Sequence, residues 1–218
     1  MNEWRHDRTT CIVMTRWKPH SLISQAGLFA DMEFNFSDIE AWSKEVTLKD
    51  GARVLLRAER KTDLEPLWDM YSTLSENSLR NVPDRYTHEL ITRWVEGLDY
   101  ERSLPILAFD AMHPVRVVAS SILHFSAREE TRHKAEFGIV VHDDFQGQGL
   151  GTLLTRLMVE IGRARGLKKI GLSVYAHNEA GIHVYKKCGF DVEGLLRMEH
   201  WQYLLEDYVD AFRMGALL

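Results

Sequence analysis

The sequence predicts an α/β chain of the α+β kind, with a mixed, mostly antiparallel sheet of about seven strands and four flanking helices. Three observations carry that expectation. Short runs of β-branched or alternating apolar residues are joined by hairpin-type turns, which makes successive strands antiparallel neighbours. Four other segments place apolar residues at helical spacing. Between these patterns, Glu136 to Ile161 passes from a strand through Gly147, Gly149 and Gly151 into the longest helix.

Residues 1–45 read as an N-terminal extension. It holds a strand at Thr10 to Met14, a short helix at Ser21 to Met32, and an aromatic-rich cluster of Phe34, Phe36, Ile39 and Trp42 that something must cover. The main domain is expected over 46–218. Its first hairpin turns at Asp50-Gly51, a pair that tolerates the positive φ of a tight turn, between Val46 to Leu48 and Arg53 to Arg57. Thr62 and Glu65 make a capping-box pattern ahead of Leu64, Leu67, Trp68, Tyr71 and Leu74, which share one helical face. A second helix starts near Thr87, with Leu90, Ile91, Trp94, Val95 and Leu98 inward. Two helices here suit a fold in which helices cover the entrance to a groove.

Strands at Pro105 to Phe109 and Val115 to Phe125 flank a turn at Asp110 to Pro114, and the polar Ser126 to His133 leads into the strand of Glu136 and Phe137 to Val141. An antiparallel meander follows from that order. Arg165-Gly166 stops the long helix in the αL manner. Lys169 to Tyr175 is a strand, Ala180 to Lys187 a short helix, and strands near Leu195 to Tyr203 and Tyr208 to Met214 close the chain around Glu206-Asp207.

With 218 residues the chain is long enough for a sizeable core. A net charge of −5 argues against a dedicated nucleic-acid binder, which needs clustered Lys and Arg, and suits a cationic acceptor. The two cysteines, Cys11 and Cys188, lie too far apart in sequence to suggest a disulfide framework. No apolar run reaches ~20 residues, and Arg16 and Lys18 interrupt what would be a signal peptide's apolar core, so a cytoplasmic protein without a membrane partner is expected. A homodimer is compatible with all of this. The ten histidines show no H-E-x-x-H spacing and no paired cysteines, so no metal is expected.

Strand, glycine turn and helix in that order create an anion pocket. The N–H groups of the turn and the first unbonded amides of the helix face one concavity, where the helix dipole adds partial positive charge. A triphosphatase loop is excluded because no Lys follows Gly151, and the G-x-G-x-G spacing misses the dinucleotide pattern. What fits is Q-x-x-G-x-G at Gln146, Gly149 and Gly151. It resembles the pyrophosphate-binding motif of the GCN5-related N-acetyltransferases, the GNAT superfamily, which hold acetyl-coenzyme A at this point. A second likeness lies in Leu172 to Phe190, where Asn178, Ala180, Tyr185, Lys187, Gly189 and Phe190 resemble that superfamily's later signature.

The resemblance implies a GNAT fold with acetyl-CoA as co-substrate. It implies cofactor contacts at Ile139, Val140, Val141, Gln146, Gly147, Gln148, Gly149, Leu150, Gly151, Thr152, Asn178, Ala180, Tyr185 and Lys187, with the Val141 N–H as oxyanion donor. Acyl transfer to an amine needs three things: loss of the ammonium proton, stabilisation of charge on the thioester oxygen, and a proton for the departing thiolate. Alkyl amines have pKa values near ~10.4, so something must take the proton. Glu136 is the candidate base, acting through water, and its competing reading is a sheet-edge carboxylate paired with Lys134 or Arg132. Tyr185 is the candidate acid. Asn178 suits both a hydrogen bond to the pantetheine amide and an N-cap of the following helix. His142 and Asp143 at the strand end fit either help with proton removal or a plain loop role, Arg156 and Arg163 a solvated helix face, and Cys188 a small buried thiol.

The acceptor stays open at this level. Leu48 to Gly51, Leu55 to Arg57, Leu74 to Ser78 and Asp99 to Arg102 resemble the acetyltransferase domain of Pat-type protein lysine acetyltransferases, but Arg57-Ala58 replaces the Arg-Pro usual after the first strand. A protein lysine or N-terminal amine therefore stands beside polyamines, amino acids and other small amines. A non-catalytic acyl-CoA sensor, and a partner-binding module docking through residues 1–45, are the alternatives to an enzyme.

Overall fold

The computed structural model describes residues 36–218. The expectations for Thr10 to Met14, Ser21 to Met32 and Phe34 lie outside them. Residues Phe36–Ala41 form a 3-10 turn in which Ile39 is buried and the Arg165 guanidinium stands over the Phe36 ring.

In chain order the elements are β1 (Ser43–Thr47), β2 (Arg53–Ala58), α1 (Leu64–Ser72), α2 (Glu76–Leu79), α3 (His88–Glu96), β3 (Ser103–Asp110), β4 (Val117–Phe125) and β5 (Lys134–Val141). There follow α4 (Leu150–Ala164), β6 (Lys169–Tyr175), α5 (Glu179–Lys187), β7 (Asp191–Gln202) and β8 (Asp207–Leu217). The eight strands make one sheet in the order β1-β2-β3-β4-β5-β6-β8-β7. Every pairing is antiparallel except β5 with β6. The sheet thus has one strand more than expected, and the helices number five among the described residues. The additional helix is α2, whose four residues are too few to show a period.

Side-chain alternation assigns the two faces. Ala135, Phe137 and Val141 face α4, whose Leu150, Leu154, Leu157, Met158 and Ile161 are fully buried, each worth about 2 kcal/mol of burial. Glu136, Gly138 and Val140 face the other way, on the side covered by α1 and α3, where Leu67, Tyr71, Ile91 and Val95 pack on Leu107, Phe109 and Val117. Gly166, at φ +79°, ends α4 as the sequence predicts.

What positions the site is a fork. β5 and β6 pair only at Lys134↔Lys169, Ala135↔Ile170 and Glu136↔Gly171, although β5 runs on to Val141 and β6 to Tyr175. Beyond Glu136 the two strands part. Phe137, Tyr185 and Phe190 pack as a ring cluster at the fork, with centroids 6.0–6.3 Å apart. Because the His142 N–H donates to the Val118 carbonyl, strand alternation turns the Val141 N–H the opposite way, into the gap left by β6.

Candidate active site

The glycine loop closes the open end of the fork. Gly147 and Gly149 take φ of +73° and +93°, backbone that L side chains rarely adopt, and Gly149 stands at the N-cap of α4. The consequence is a run of free donors. Among the described residues, the amides of Gly147, Gln148, Gly149, Leu150, Gly151 and Thr152 find no acceptor, while Leu153 N–H resumes helical bonding to Gly149. The Gln146 side chain holds the loop from within, donating to the Val141 carbonyl and the Ser78 hydroxyl at 2.9 Å each.

Of this run, Gly147, Gly149, Gly151 and Thr152 line a cleft of about 430 Å³. Its wall carries Lys49, Lys187 and His183 and no carboxylate, which makes it electropositive in a chain of net charge −5. Lys49 comes from the β1–β2 hairpin, and its N–H donates to the Gln148 carbonyl, so the hairpin lies across the loop. A Cβ on Gly149 would stand 3.4 Å from the Lys49 Cε. Six unbonded amides, a helix N-terminus and two ammonium groups without an ion pair among the described residues make a donor set suited to a pyrophosphate. The residues present fit that group.

An arch formed by residues 75–84 spans the fork. At one end the Asp143 carboxylate accepts from the Ser75 N–H and hydroxyl and from the Ser78 hydroxyl. Burial works against ionisation of Asp143, but these hydrogen bonds outweigh it and hold the carboxyl below its ordinary value. At the other end Gln202 of β7, almost fully buried, donates to the Leu79 and Val82 carbonyls, and the His177 ring bonds the Arg80 carbonyl. Gln202→Ala leaves two carbonyls without their donor, so we expect a loss of about 2 kcal/mol of stability. Urea unfolding reads the loss, and faster hydrogen exchange confined to residues 79–84 locates it.

Beneath the arch the first cleft joins a second of about 720 Å³ on the α1/α3 face. The two share Asn81, Val82, Ile139, Val140, Asn178 and Tyr185. Tyr185 is therefore at the junction. Burial pushes its phenol up to about 12, so it is a neutral donor, and its hydroxyl has no hydrogen-bond partner among the described residues. Asn178 caps α5 by accepting the Gly181 N–H at 2.9 Å, and the residue lines both clefts. The second cleft differs in charge, with Glu59 and Asp84 in its wall opposite a single arginine, Arg93, at the rim.

Twelve of the expected cofactor contacts line the first cleft. Two depart from the expectation. The Leu150 side chain is fully buried at the head of the α4 stripe, and the Gln148 side chain turns back to donate to the Asp144 carbonyl, so neither residue lines the cleft. Glu136 needs a larger correction. It lines neither cleft, and the Arg213 guanidinium of β8 engages both its oxygens, at 2.7 Å and 2.5 Å. Its partner is neither Lys134 nor Arg132. What Glu136 does reach is His124, directly opposite in the β4–β5 register and part of the second cleft. His142 bonds Thr73 and the Asp144 N–H, and Asp143 braces the arch, so both are loop residues. Burial pushes the Cys188 thiol up. Among the described residues no group of three or more His, Cys, Asp or Glu could hold a metal, and no helix is long and apolar enough to cross a membrane.

A mixed sheet forked between two parallel neighbours, with an amide-lined anion cleft at the mouth of the fork, is the architecture of acyl-CoA N-acetyltransferase folds. Comparison with known proteins agrees: residues 67–190 match the acetyltransferase (GNAT) family, and the chain belongs to that family. It is 39% identical over 82 residues to spermidine N(1)-acetyltransferase of Escherichia coli K12, a match covering 37% of this chain and 43% of that protein. The chain thus spans less than half the length of this curated relative. In fold it is similar to the GNAT domain of S. lividans PAT, with TM-score 0.66, 21% identity, and 81% and 97% of the two chains covered. It is also similar to spermidine N-acetyltransferase from Vibrio cholerae in complex with CoA and spermine, with TM-score 0.62, 24% identity, and 75% and 95% covered.

Proposed function

We propose that this protein is an acetyl-CoA-dependent N-acetyltransferase that passes the acetyl group to a primary amine by direct attack in a ternary complex. The observation that carries the reading is the junction at Tyr185, where an electropositive, amide-lined cleft meets a cleft bearing carboxylates. An anionic co-substrate and a cationic acceptor then reach the fork from separate sides.

The amides from Gly147 to Thr152 bind the pyrophosphate, with Lys49 and Lys187 adding charge. Val141 N–H stabilises the negative charge that develops on the carbonyl oxygen as the amine nitrogen attacks the thioester carbon. As the carbon–sulfur bond breaks, the Tyr185 hydroxyl gives its proton to the thiolate. The amine's proton passes through water to His124. Partial desolvation lowers the pKa of that imidazole, against the opposing pull of Glu136, which favours the neutral, proton-accepting form. Glu136, fixed by Arg213, is a positioning residue that steadies His124 once protonated. The acceptor classes are a small alkyl amine and the amine of a protein lysine or N-terminus.

A free-thiol release assay with acetyl-CoA, run over small amines, amino acids and lysine peptides, tests the reading. Amine-dependent release at the rate of amine acetylation is expected. Binding of acetyl-CoA without release for any amine would leave an acyl-CoA sensor instead.

A further inference from the structure

Glu59 is the odd member of the second cleft. It is 5% exposed, follows directly on β2, and its carboxyl makes no hydrogen bond or ion pair among the described residues. The neighbouring Arg57 does not serve it, because that guanidinium is taken by Asp63 in a bidentate pair at 2.7 Å. A carboxyl this buried without a partner is costly, and such groups in native proteins mark a ligand or a function. The Tyr175 hydroxyl, buried in the same wall, also lacks a partner.

Around Glu59 the cleft is aromatic. Tyr71, Tyr86 and Trp94 meet with centroids 4.3, 5.9 and 6.1 Å apart, the last two contacts edge-on, and all three line the cavity. The charges of Glu59 and Asp84 both reach the Tyr71 phenol. Glu59 is buried and Asp84 exposed, and the negative ring faces beside these carboxylates attract an alkylammonium. Arg93 at the rim is the one opposing charge in that wall, and it is exposed.

The register gives the distance. Ala58 pairs with Ile106, Ile106 with Ser121, and Ser121 with Ile139 at the fork, so Glu59 lies three strand spacings from the fork, about 14 Å. A short amine cannot reach both places.

We propose that the second cleft selects its acceptor by a remote positive charge: it takes an extended alkyl diamine or polyamine, one end at the fork and a second ammonium at Glu59 within Tyr71, Tyr86 and Trp94. This rests on the acetyltransferase reading and names its substrate class.

The full chain is assayed for thiol release with 1,3-diaminopropane, 1,8-diaminooctane, the matching monoamines and a lysine peptide, with acetyl-CoA affinity measured separately by calorimetry. We expect kcat/KM for 1,8-diaminooctane at least tenfold above that for octylamine, and little such preference at three carbons. Glu59→Gln, and independently Trp94→Leu at a half-exposed position, lower the long-chain preference at least tenfold and leave acetyl-CoA affinity within twofold. Calorimetric titration of 1,8-diaminooctane into CoA-loaded protein shows binding weakened by both variants. Equal rates for diamine and monoamine, a preference unchanged in both variants, or a lysine peptide outpacing the diamine would overturn the proposal alone. Failure to bind acetyl-CoA would overturn the acetyltransferase reading with it.

Discussion

Tyr185→Phe lowers kcat by roughly a hundredfold or more while the affinity for acetyl-CoA stays within about twofold, the range expected when a general acid is lost and binding is spared. The substitution removes one oxygen. The ring remains packed edge-on against Phe137 and beside Phe190, and no hydrogen bond among the described residues is broken. Structure and cofactor contacts therefore survive, and only the proton for the leaving thiolate is missing. A single-turnover measurement separates the two quantities. If kcat and affinity fell together, Tyr185 would be a binding residue, and if neither changed, the thiolate would draw its proton from elsewhere.

Glu59→Gln stabilises the ligand-free protein at pH 8 and gains little at pH 4. Burial, with the nearby Asp63 adding and Arg57 opposing, pushes the Glu59 carboxyl from 4.5 up to about 7. The folded state therefore binds this proton more tightly than the unfolded state does. Stability tied to the group is fully present below pH 4.5 and is lost as pH rises from 4.5 through 7. The loss amounts to about 3 kcal/mol at pH 8, or roughly 5–10 °C in Tm for a domain of this size. The glutamine has no charge to desolvate and escapes it. Thermal unfolding of both proteins at pH 4, 6 and 8 reads the difference. Parallel curves would mean that Glu59 has a partner in solution, and an ammonium site there would be untenable.

How much of this was legible in the sequence follows from how local each feature is. The Asp50-Gly51 hairpin, the α4 stripe and the αL stop at Gly166 are set by neighbours within a few residues, and they appear where the sequence puts them. The glycine loop was legible for the same reason, since Gln146, Gly149 and Gly151 act through their own backbone. The Asn178 cap is equally local. Features made by distant pairs were not. Gln202 bonds Leu79 across 123 residues, and Glu136 finds Arg213 across 77. Sequence proximity offered Lys134 and Arg132 to Glu136, but β4 to β8 carry its true neighbours. Glu59 carries no motif at all. Only its burial, with Arg57 already committed to Asp63, singles it out.

Calorimetric titration of coenzyme A and of pantetheine, which lacks the pyrophosphate, into the wild-type protein and Gly149→Val tests the anion cleft itself. Gly149 sits at φ +93° with Lys49 at the position of an added side chain, so valine there disturbs both the loop and the lysine. Coenzyme A is expected to bind at least a hundredfold more tightly than pantetheine, and the valine variant to lose most of that advantage. Equal affinity for the two compounds, or an advantage untouched by valine, would contradict a pyrophosphate held by the amides from Gly147 to Thr152.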